Sequence, residues 1–455
     1  MNPAWLFEGF EKYRDAAALV WRGQAYGYGW LADEAEALER GLATHGVGAG
    51  SVIALDGDYS PNACAFLLAA ISAGAIVVPL TSAAAGNRGR FLDIAQVQTL
   101  ARCPPGGTPS YEATGREVSN PLLLALRERS EPGLVLFTSG STGEPKAALH
   151  SFTRLLEKYR TPRPSLRTLA FLLLDHIGGI NTLFHIISNG GSVVTVEDRS
   201  PDAVCAAIER HRVELLPTTP TFLNLLLISE AHSRHDLSSL RQITYGTEPM
   251  PAATLERLHA LLPGVRLSQT YGLSELGILR AKSRSSDSLW VRLGGEGVET
   301  KVVDGILKVR SSSAMLGYLN APSPFDGDGW FDTQDEVVVD GDFFRILGRR
   351  SEIINVGGEK VYPAEVESVL LRLENVRDVM VRGEKSPILG QIVAAYFNLA
   401  EPESGDSLRN RVRAHCRGRL RPFQVPGRIE VVDREQYSER FKKIRALEPG
   451  EPVEP

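Results

Sequence analysis

The feature that most constrains the fold is a stretch without any charged side chain between Asp58 and Arg88. Its central part, residues 63–80 (ACAFLLAAISAGAIVVPL), nearly reaches the length that a helix needs to cross a bilayer. Residues 62–72 have an Ala/Leu helical pattern, a glycine follows, and 76–80 form a short β-branched run. This helix–glycine–strand order is typical of a buried unit in an α/β protein. We therefore expect no membrane span.

Apolar runs of strand length alternate with helical patterns over the first two thirds of the chain, which predicts mostly parallel sheets with helices on both faces. From about residue 294 the chain changes to short β-rich pieces, and residues 351–445 mix strands with helices. The predicted fold class is α/β. A large N-terminal domain (1–350) would hold stacked, mostly parallel sheets plus a β-rich subdomain (about 294–350). A small, mobile α+β domain (351–455) would follow.

Composition excludes several classes of function. The chain has 455 residues with 50 Lys and Arg against 55 Asp and Glu, a net charge of −5. This balance disfavours a nucleic-acid binder, which needs a surplus of cations. The four cysteines, Cys64, Cys103, Cys205 and Cys416, form no CxxC pair, which argues against a thiolate zinc site and a disulfide scaffold. A reducing compartment, hence the cytoplasm, is expected.

A glycine-rich turn is the most informative motif. The apolar run at 134–137 leads into six consecutive small residues, and Lys146 follows shortly after. Such a turn directs backbone N–H groups and hydroxyls toward one point, which suits a phosphate. It is neither a GxxxxGK[ST] loop nor a GxSxG nucleophile turn. The six residues are Thr138, Ser139, Gly140, Ser141, Thr142 and Gly143.

The nine residues TSGSTGEPK resemble the phosphate-loop signature of the acyl-adenylate-forming superfamily, which contains acyl-CoA synthetases, adenylation domains of peptide synthetases and luciferases. Further motifs of that family follow in its order. They are YGTEP (245–249), QTYGLSE (269–275), GWFDTQD (329–335), GR (348–349) and VGGEKVYPAEVE (356–367). The resemblance extends from about residue 47 to residue 447.

The resemblance implies a two-step reaction that uses ATP and Mg²⁺. A carboxylate attacks the α-phosphate of ATP to give acyl-AMP and pyrophosphate, and a thiol then displaces AMP. The phosphate turn and Lys146 would hold the β- and γ-phosphates. Negative charge builds at phosphorus in the first step, so backbone donors, a metal ion and a lysine are required. Glu275 would bind Mg²⁺, because carboxylate oxygens are hard ligands suited to that ion.

The same resemblance assigns residues to the rest of the nucleotide. Tyr271 would stack on adenine, and Ser274, where the family usually has threonine, would offer a hydroxyl to the α-phosphate. Asp335 would accept both ribose hydroxyls, with Arg349 reinforcing that contact. The remaining residues expected around the nucleotide are Gly246, Thr247, Glu248 and Gly272.

The lysine of the first step follows a glycine in the family's C-terminal PxxxxGK motif. Here residues 437–444 read YSERFKKI, without the proline. Alignment on the Lys-Ile pair predicts Lys443 as the catalytic lysine, with Lys442 in place of the glycine. Arg445 then comes one residue earlier than the family's next basic residue, so Lys442 is the alternative. At the hinge, Ser351 replaces the usual Asp or Lys; rotation of the C-terminal lid remains compatible, because a hinge only absorbs backbone rotation.

The resemblance also bears on the acid. His176 matches the residue that gates the carboxylate pocket. Amino-acid-activating members have Asp directly after it, whereas this chain has Ile177, which argues against an α-amino acid. The resemblance places Phe222, Ile278 and Leu279 near the pocket, and their apolar character favours a hydrophobic aryl or aliphatic acid.

The acceptor is left with alternatives. The GGEKVYPAEVE sequence is closer to acyl- and aryl-CoA ligases than to peptide-synthetase domains, so coenzyme A is the favoured thiol. Loading of a carrier-protein phosphopantetheine supplied in trans is the second possibility. A nucleotide-binding pseudoenzyme is a third, motivated by the departures at Lys442 and Ser351. The expected function is that of an AMP-forming acid–thiol ligase.

Overall fold

The computed structural model describes residues 4–139, 144–433 and 435–445. The α-helices of this part are α1 Ala4–Lys12, α2 Tyr28–Thr44, α3 Pro61–Ser72, α4 Arg88–Ile94, α5 Pro121–Glu128, α6 Phe152–Glu157, α7 Ile177–Ile187, α8 Pro201–His211, α9 Pro220–Ser229, α10 Ala252–Leu261, α11 Pro363–Leu370 and α12 Gly405–Cys416.

The described residues also form the strands β1 to β27, numbered in chain order. The first are β1 Ala17–Trp21, β2 Gln24–Gly27, β3 Val52–Asp56, β4 Ile76–Leu80, β5 Thr99–Arg102, β6 Ser110–Ala113, β7 Gly133–Ser139, β8 Pro145–Ser151, β9 Thr168–Ala170, β10 Val193–Thr195, β11 Leu215–Thr218, β12 Gln242–Tyr245, β13 Arg266–Gln269, β14 Gly272–Leu273 and β15 Gly277–Ile278. The others are β16 Arg280–Ser283, β17 Trp290–Gly294, β18 Val298–Val303, β19 Ile306–Ser311, β20 Gly317–Tyr318, β21 Phe331–Asp340, β22 Phe343–Arg349, β23 Ile354–Val356, β24 Glu359–Val361, β25 Val376–Ser386, β26 Gly390–Leu399 and β27 Arg428–Val431.

Two seven-stranded sheets form the first part of the molecule. One has the order β13-β12-β11-β9-β10-β1-β2, and the other has the order β20-β8-β7-β4-β3-β5-β6. All neighbours in the first sheet are parallel except β1 and β2, and the central pairs β7-β4, β4-β3 and β3-β5 of the second are also parallel. The prediction of mostly parallel sheets is confirmed.

The charge-free segment folds as predicted. The Ser60 hydroxyl caps α3 by accepting a hydrogen bond from the Ala63 N–H at 3.2 Å, and Pro61 occupies the first turn, where no backbone donor is required. Every residue of α3 except Asn62 and Ser72 is buried, and so is all of β4. In the described ranges no helix is both long and apolar enough to cross a membrane.

A six-stranded antiparallel sheet with the order β16-β17-β22-β21-β19-β18 follows. Its first strand starts at Arg280, which is earlier than the expected start of the β-rich subdomain near residue 294. The last sheet contains β23 to β27, and α11 and α12 share a separate apolar core with it. The fold is thus α/β with a small α+β C-terminal part, as predicted. A domain boundary at residue 350 stays a prediction.

The segment after the phosphate turn differs from the prediction. The helical pattern of residues 150–159 predicts a helix from residue 150, but residues Pro145–Ser151 form β8, which pairs antiparallel with β7. The helix α6 begins only at Phe152, because the Ser151 side chain caps it by accepting from the Arg154 N–H. The β7–β8 pair therefore holds both ends of the phosphate turn.

Candidate active site

The ends of β7 and β8 position the predicted phosphate turn. Thr138 and Lys146 are directly opposite one another in the antiparallel register. Four predicted phosphate-binding residues lie outside the described residues, and the side chain of Ser139 is not described either. The four are Gly140, Ser141, Thr142 and Gly143.

Lys146 is connected to Glu275 through Tyr318. The Lys146 ammonium lies 5.4 Å from the centroid of the Tyr318 ring, and the Tyr318 hydroxyl donates to Glu275 Oε1 at 2.5 Å. Glu275 occupies the tight turn between β14 and β15, and its carbonyl accepts from the Met315 N–H at 2.7 Å. Glu275 thus presents a carboxylate beside the phosphate turn.

Buried contacts fix the backbone of this turn. His150 Nε2 lies 2.6 Å from the Ser274 carbonyl oxygen. Burial lowers the pKa of His150 to about 4, so the ring is neutral and donates its Nε2 proton to that carbonyl. A Cβ on Gly272 would lie 2.6 Å from Ile278 Cδ1 and 2.7 Å from the Gly277 oxygen, so glycine is required here. The Ser274 hydroxyl role stays a prediction.

Asp335 forms a second acidic position, on β21. Its side chain accepts from the Tyr271 hydroxyl at 2.6 Å and lies 3.4 Å from Arg349 Nε on the neighbouring strand. Burial raises the pKa of Asp335, and the Arg349 charge opposes that shift. Arg349 also interacts electrostatically with Glu275, so the two acidic positions share one cation. Stacking of the buried Tyr271 on adenine stays a prediction.

The predicted adenine turn follows β12. A Cβ on Gly246 would lie 2.5 Å from Thr270 Oγ1, so only glycine fits there. Thr247 is exposed and has a φ of +75°, a conformation that side chains rarely adopt and that is often found at functional sites. The Glu248 carboxylate accepts from the Thr221 N–H at 2.8 Å and from the Lys443 N–H at 3.2 Å. Burial raises the Glu248 pKa.

His176 is the N-cap of α7. Its Nδ1 accepts from the Gly178 N–H at 3.0 Å, so this nitrogen is unprotonated. The pKa of His176 lies well below its usual value because of burial first, and then because of the positive charges of Lys442 and Arg440. The neighbouring Asp175 is 5% exposed and pairs with Arg440 at 2.9 Å.

The C-terminal residues 436–445 form an arm that reaches this gate. Ser438 N–H donates to the Lys442 oxygen at 2.9 Å, and Phe441 N–H donates to the Ser438 oxygen at 2.8 Å. Phe441 closes this turn with a φ of +53°, the left-handed conformation that favours glycine. Its ring packs against Phe171 and Phe222, with centroid distances of 5.2 and 5.6 Å.

The Lys443 ammonium lies in a buried ion network, although the Lys443 backbone N–H contacts Glu248. Its ammonium lies 3.1 Å from Asp378 Oδ1 and 3.8 Å from Glu367 Oε2, and it also donates to the Val379 oxygen. Arg445 binds both oxygens of Glu367 at 3.1 and 2.9 Å. Burial alone would lower the Lys443 pKa, but Asp378 and Glu367 raise it above its usual value. In this arrangement the predicted catalytic lysine is directed away from the candidate site.

Lys442 occupies the opposite side of the arm, since adjacent residues of an extended chain point in opposite directions. Burial is the main reason why its pKa falls to about 8; Glu248 raises the pKa, whereas Arg349 and Arg440 lower it. In the described part of the chain, the Lys442 ammonium forms no ion pair or hydrogen bond. The arm therefore directs the ammonium group of Lys442, and not that of Lys443, toward His176, Glu248 and Arg349.

The structure links Lys146 to Glu275 through Tyr318 and joins Asp335 to Tyr271 and Arg349. It also shows contacts of three residues to which the sequence analysis gave no role. Tyr318 belongs to no quoted motif, and Arg440 and Phe441 lie in the quoted segment 437–444 without an assigned role, so only the contacts reveal what these residues do. A signal for Lys442 was present, however. The following basic residue, Arg445, has the family's spacing if Lys442 is the catalytic lysine, and the non-glycine residue before it is then Phe441.

Comparison with known proteins identifies the family to which this chain belongs. A family model described as AMP-binding enzyme matches residues 6–92 and 93–319, and one described as AMP-binding enzyme C-terminal domain matches residues 365–442. The chain is 29% identical over 467 residues to an indoleacetate–CoA ligase of Aromatoleum aromaticum, covering 89% of each protein.

Two further similarities cover nearly the whole chain. A 2-succinylbenzoate–CoA ligase of Bacillus pumilus is 27% identical, over 95% of this chain and 94% of that protein. The crystal structure of an anthranilate CoA ligase in complex with anthranoyl-AMP superposes with a TM-score of 0.82 at 21% identity, over 96% of this chain and 95% of the other. At 21% identity, the similarity to the anthranilate CoA ligase shows the fold alone.

Proposed function

Because this chain belongs to the family of AMP-binding enzymes, we propose that it is an ATP-dependent acid–thiol ligase that forms an acyl-AMP and then an acyl-CoA. The observation that carries the proposal is a set of electrostatic contacts: Arg349 interacts with Glu275, Asp335 and Lys442, and Lys442 interacts with Glu248 and His176. They lie far apart in the sequence, from residue 176 to residue 442. Their approach has no evident structural purpose without a charged ligand.

ATP would lie between the phosphate turn and β21. Asp335, held by Tyr271 and Arg349, is oriented to accept the ribose hydroxyls. The adenine base would lie at the turn of Gly246, Thr247 and Glu248, where the family resemblance places it. Lys146 is placed to neutralise the outer phosphates, which a carboxylate attacking the α-phosphate must displace as pyrophosphate.

The donor set is compatible with Mg²⁺. Tyr318 binds only Oε1 of Glu275. Mg²⁺ in nucleotide enzymes is commonly held by one or two carboxylates together with substrate phosphates, and Glu275 fits that role. When bound, the ion would neutralise charge on the phosphates.

Lys442 is the residue that we assign to adenylation. The left-handed backbone at Phe441 is the conformation that the family's glycine supplies, so the residue that follows corresponds to the catalytic lysine. With a pKa of about 8, Lys442 is mostly protonated at neutral pH. Its ammonium would stabilise the negative charge that develops at the α-phosphate during attack.

The acid is proposed to be aromatic or otherwise hydrophobic. The similar enzymes are named for indoleacetate and 2-succinylbenzoate. His176 is neutral, so it does not hold the reacting carboxylate by charge, and Lys442 and Arg440 supply the nearby positive charge. Coenzyme A is the proposed acceptor for the same reason, since both of these relatives are CoA ligases.

ATP–pyrophosphate exchange with a panel of aryl and aliphatic acids tests the proposal. Exchange should occur with at least one hydrophobic acid and should require Mg²⁺. Mass spectrometry of the product with CoA, and separately with a phosphopantetheinyl carrier protein, identifies the acceptor; we expect the CoA thioester. ATP binding without exchange on any acid would instead establish a nucleotide-binding pseudoenzyme.

A further inference from the structure

A second group of cations lies beside α7, away from the phosphate turn. We call Lys158, Arg163, His185 and Arg280 the α7 cation cluster. The Lys158 ammonium donates to Asn181 Oδ1 at 2.7 Å and to the Ile278 oxygen at 3.0 Å. These contacts attach Lys158 to both α7 and β15.

The cluster contains no compensating acid. Among residues 4–139, 144–433 and 435–445, none forms an ion pair with Lys158, Arg163, His185 or Arg280. The charges that act on the cluster are its own, since Arg163 acts on Lys158 and His185, and Arg280 acts on Arg163. Burying cations without a partner is costly.

The pKa values of Lys158 and His185 are both lowered, as that cost requires. Burial, followed by the charge of Arg163, lowers the pKa of Lys158 to about 7. Burial, Arg163 and Lys158 lower that of His185 to about 4. Strongly perturbed groups in a cleft often mark a functional site. An arriving anion would restore the positive charge on Lys158 and remove the repulsion.

The cluster lies at the far end of the expected acid pocket. His176 caps the start of α7, and Asn181 is five residues further on, which corresponds to about 7–8 Å along the helix. Asn181 and His185 are spaced i,i+4 and share one face. On the other side, Ile278 pairs with Gly272 of the nucleotide motif. Lys158, Asn181 and Ile278 are all partly exposed.

We infer that the α7 cation cluster binds a second anionic group of the substrate, at the end opposite the carboxylate that is activated. The inference rests on the proposed function and narrows its substrate class. The preferred acid would have a hydrophobic body with a carboxylate at each end. The Asn181 side chain also lies at this position. The Tyr159 hydroxyl fixes its orientation by donating a hydrogen bond to Asn181 Oδ1 at 2.8 Å.

Matched acids test this assignment in the exchange reaction, which contains no CoA. The probes are hexanedioate against hexanoate, and 4-carboxyphenylacetate against phenylacetate. At least one dicarboxylate should exceed its monoacid in kcat/KM by about 10–100-fold, the value of a charge-assisted hydrogen bond. Lys158→Met should abolish that preference by raising KM for the dicarboxylate, with kcat and the monoacid rates nearly unchanged. Lys158→Arg should retain part of it.

Arg160→Gln is the matched control, because Arg160 lies two residues from Lys158 but is exposed and pairs with Glu157. It should leave both acids unaffected. Equal losses for both acids in Lys158→Met, or a wild-type preference for monoacids, would overturn the inference while the proposed function stands. In the complete reaction, which contains CoA, a Lys158→Met effect confined to KM for CoA would overturn the inference and assign the cluster to a CoA phosphate instead. Absence of exchange with every acid refutes the proposed function and this inference together.

Discussion

Two kinds of buried lysine lie within this molecule, and their surroundings differ in one respect. Lys443 has Asp378 and Glu367 beside it, and its pKa is raised. Lys442 and Lys158 form no ion pair among the described residues, and burial lowers their pKa values to about 8 and about 7. A cation whose charge is balanced within the fold contributes to the structure. A cation left unbalanced is available for an anion that comes from outside.

The largest expected effect would come from Lys442→Ala. Loss of the charge next to the α-phosphate should reduce ATP–pyrophosphate exchange by about 10²–10³-fold, as removal of one transition-state donor does elsewhere. The unfolding temperature should change little, because Lys442 lacks a partner among the described residues. Thiolation of preformed acyl-AMP, measured separately, should be affected less. If Lys443→Ala, and not Lys442→Ala, abolished exchange while leaving the unfolding temperature intact, the assignment would be reversed.

Lys443→Met tests the balanced side of the comparison. It leaves Asp378 and Glu367 buried with fewer cations, and breaking such a pair typically costs about 3–5 kcal/mol. We expect a lower denaturation midpoint in urea, measured by circular dichroism, and a loss of exchange in proportion to unfolding. Lys442→Met should show the opposite pattern. Unchanged stability in Lys443→Met would mean that the network is not structural.

The smallest effect concerns pH. The folded-state pKa of Lys158, about 7, lies below its ordinary value of 10.5, so the unfolded chain binds a proton that the folded chain does not bind between these pH values. Lowering the pH through this window destabilises the native state. Lys158→Met should therefore raise the melting temperature by about 2–5 °C at pH 6.5 and by less at pH 9.5. An identical difference at both pH values would contradict the uncompensated charge.

Much of this could be predicted from the sequence, because short motifs determine local structure. The alternation of apolar runs predicted the parallel sheets, and the segment 62–80 predicted α3 and β4. The β8 strand was missed, since His150 and Ser151 are equally compatible with a helix and only pairing with β7 decides. Of the motif residues, Asp335 and Glu275 both interact with Arg349, as the order of the motifs along the chain does not by itself reveal.

Other parts depend on contacts between distant segments, which a single sequence does not reveal. Lys442 and Lys443 are adjacent and chemically identical, and only Asp378, far away in the chain, distinguishes them. The α7 cation cluster joins residues from α7, β16 and the loop after α6, so no local pattern marks it. The buried Asp175 beside His176 is a further case, because its partner Arg440 lies 265 residues away.

The ring of Phe441 has a consequence for the timing of the reaction. Under the proposed rotation of the C-terminal part for the second half-reaction, Lys442 would leave the nucleotide, and Phe441 would leave Phe171 and Phe222 with it. Re-exposing an aromatic ring of this kind costs about 1–2 kcal/mol, or roughly a tenfold change in a rate. Where relatives have glycine, no such delay arises. The Phe441 ring would thus slow the departure of the arm and prolong the state in which acyl-AMP is enclosed and protected from water.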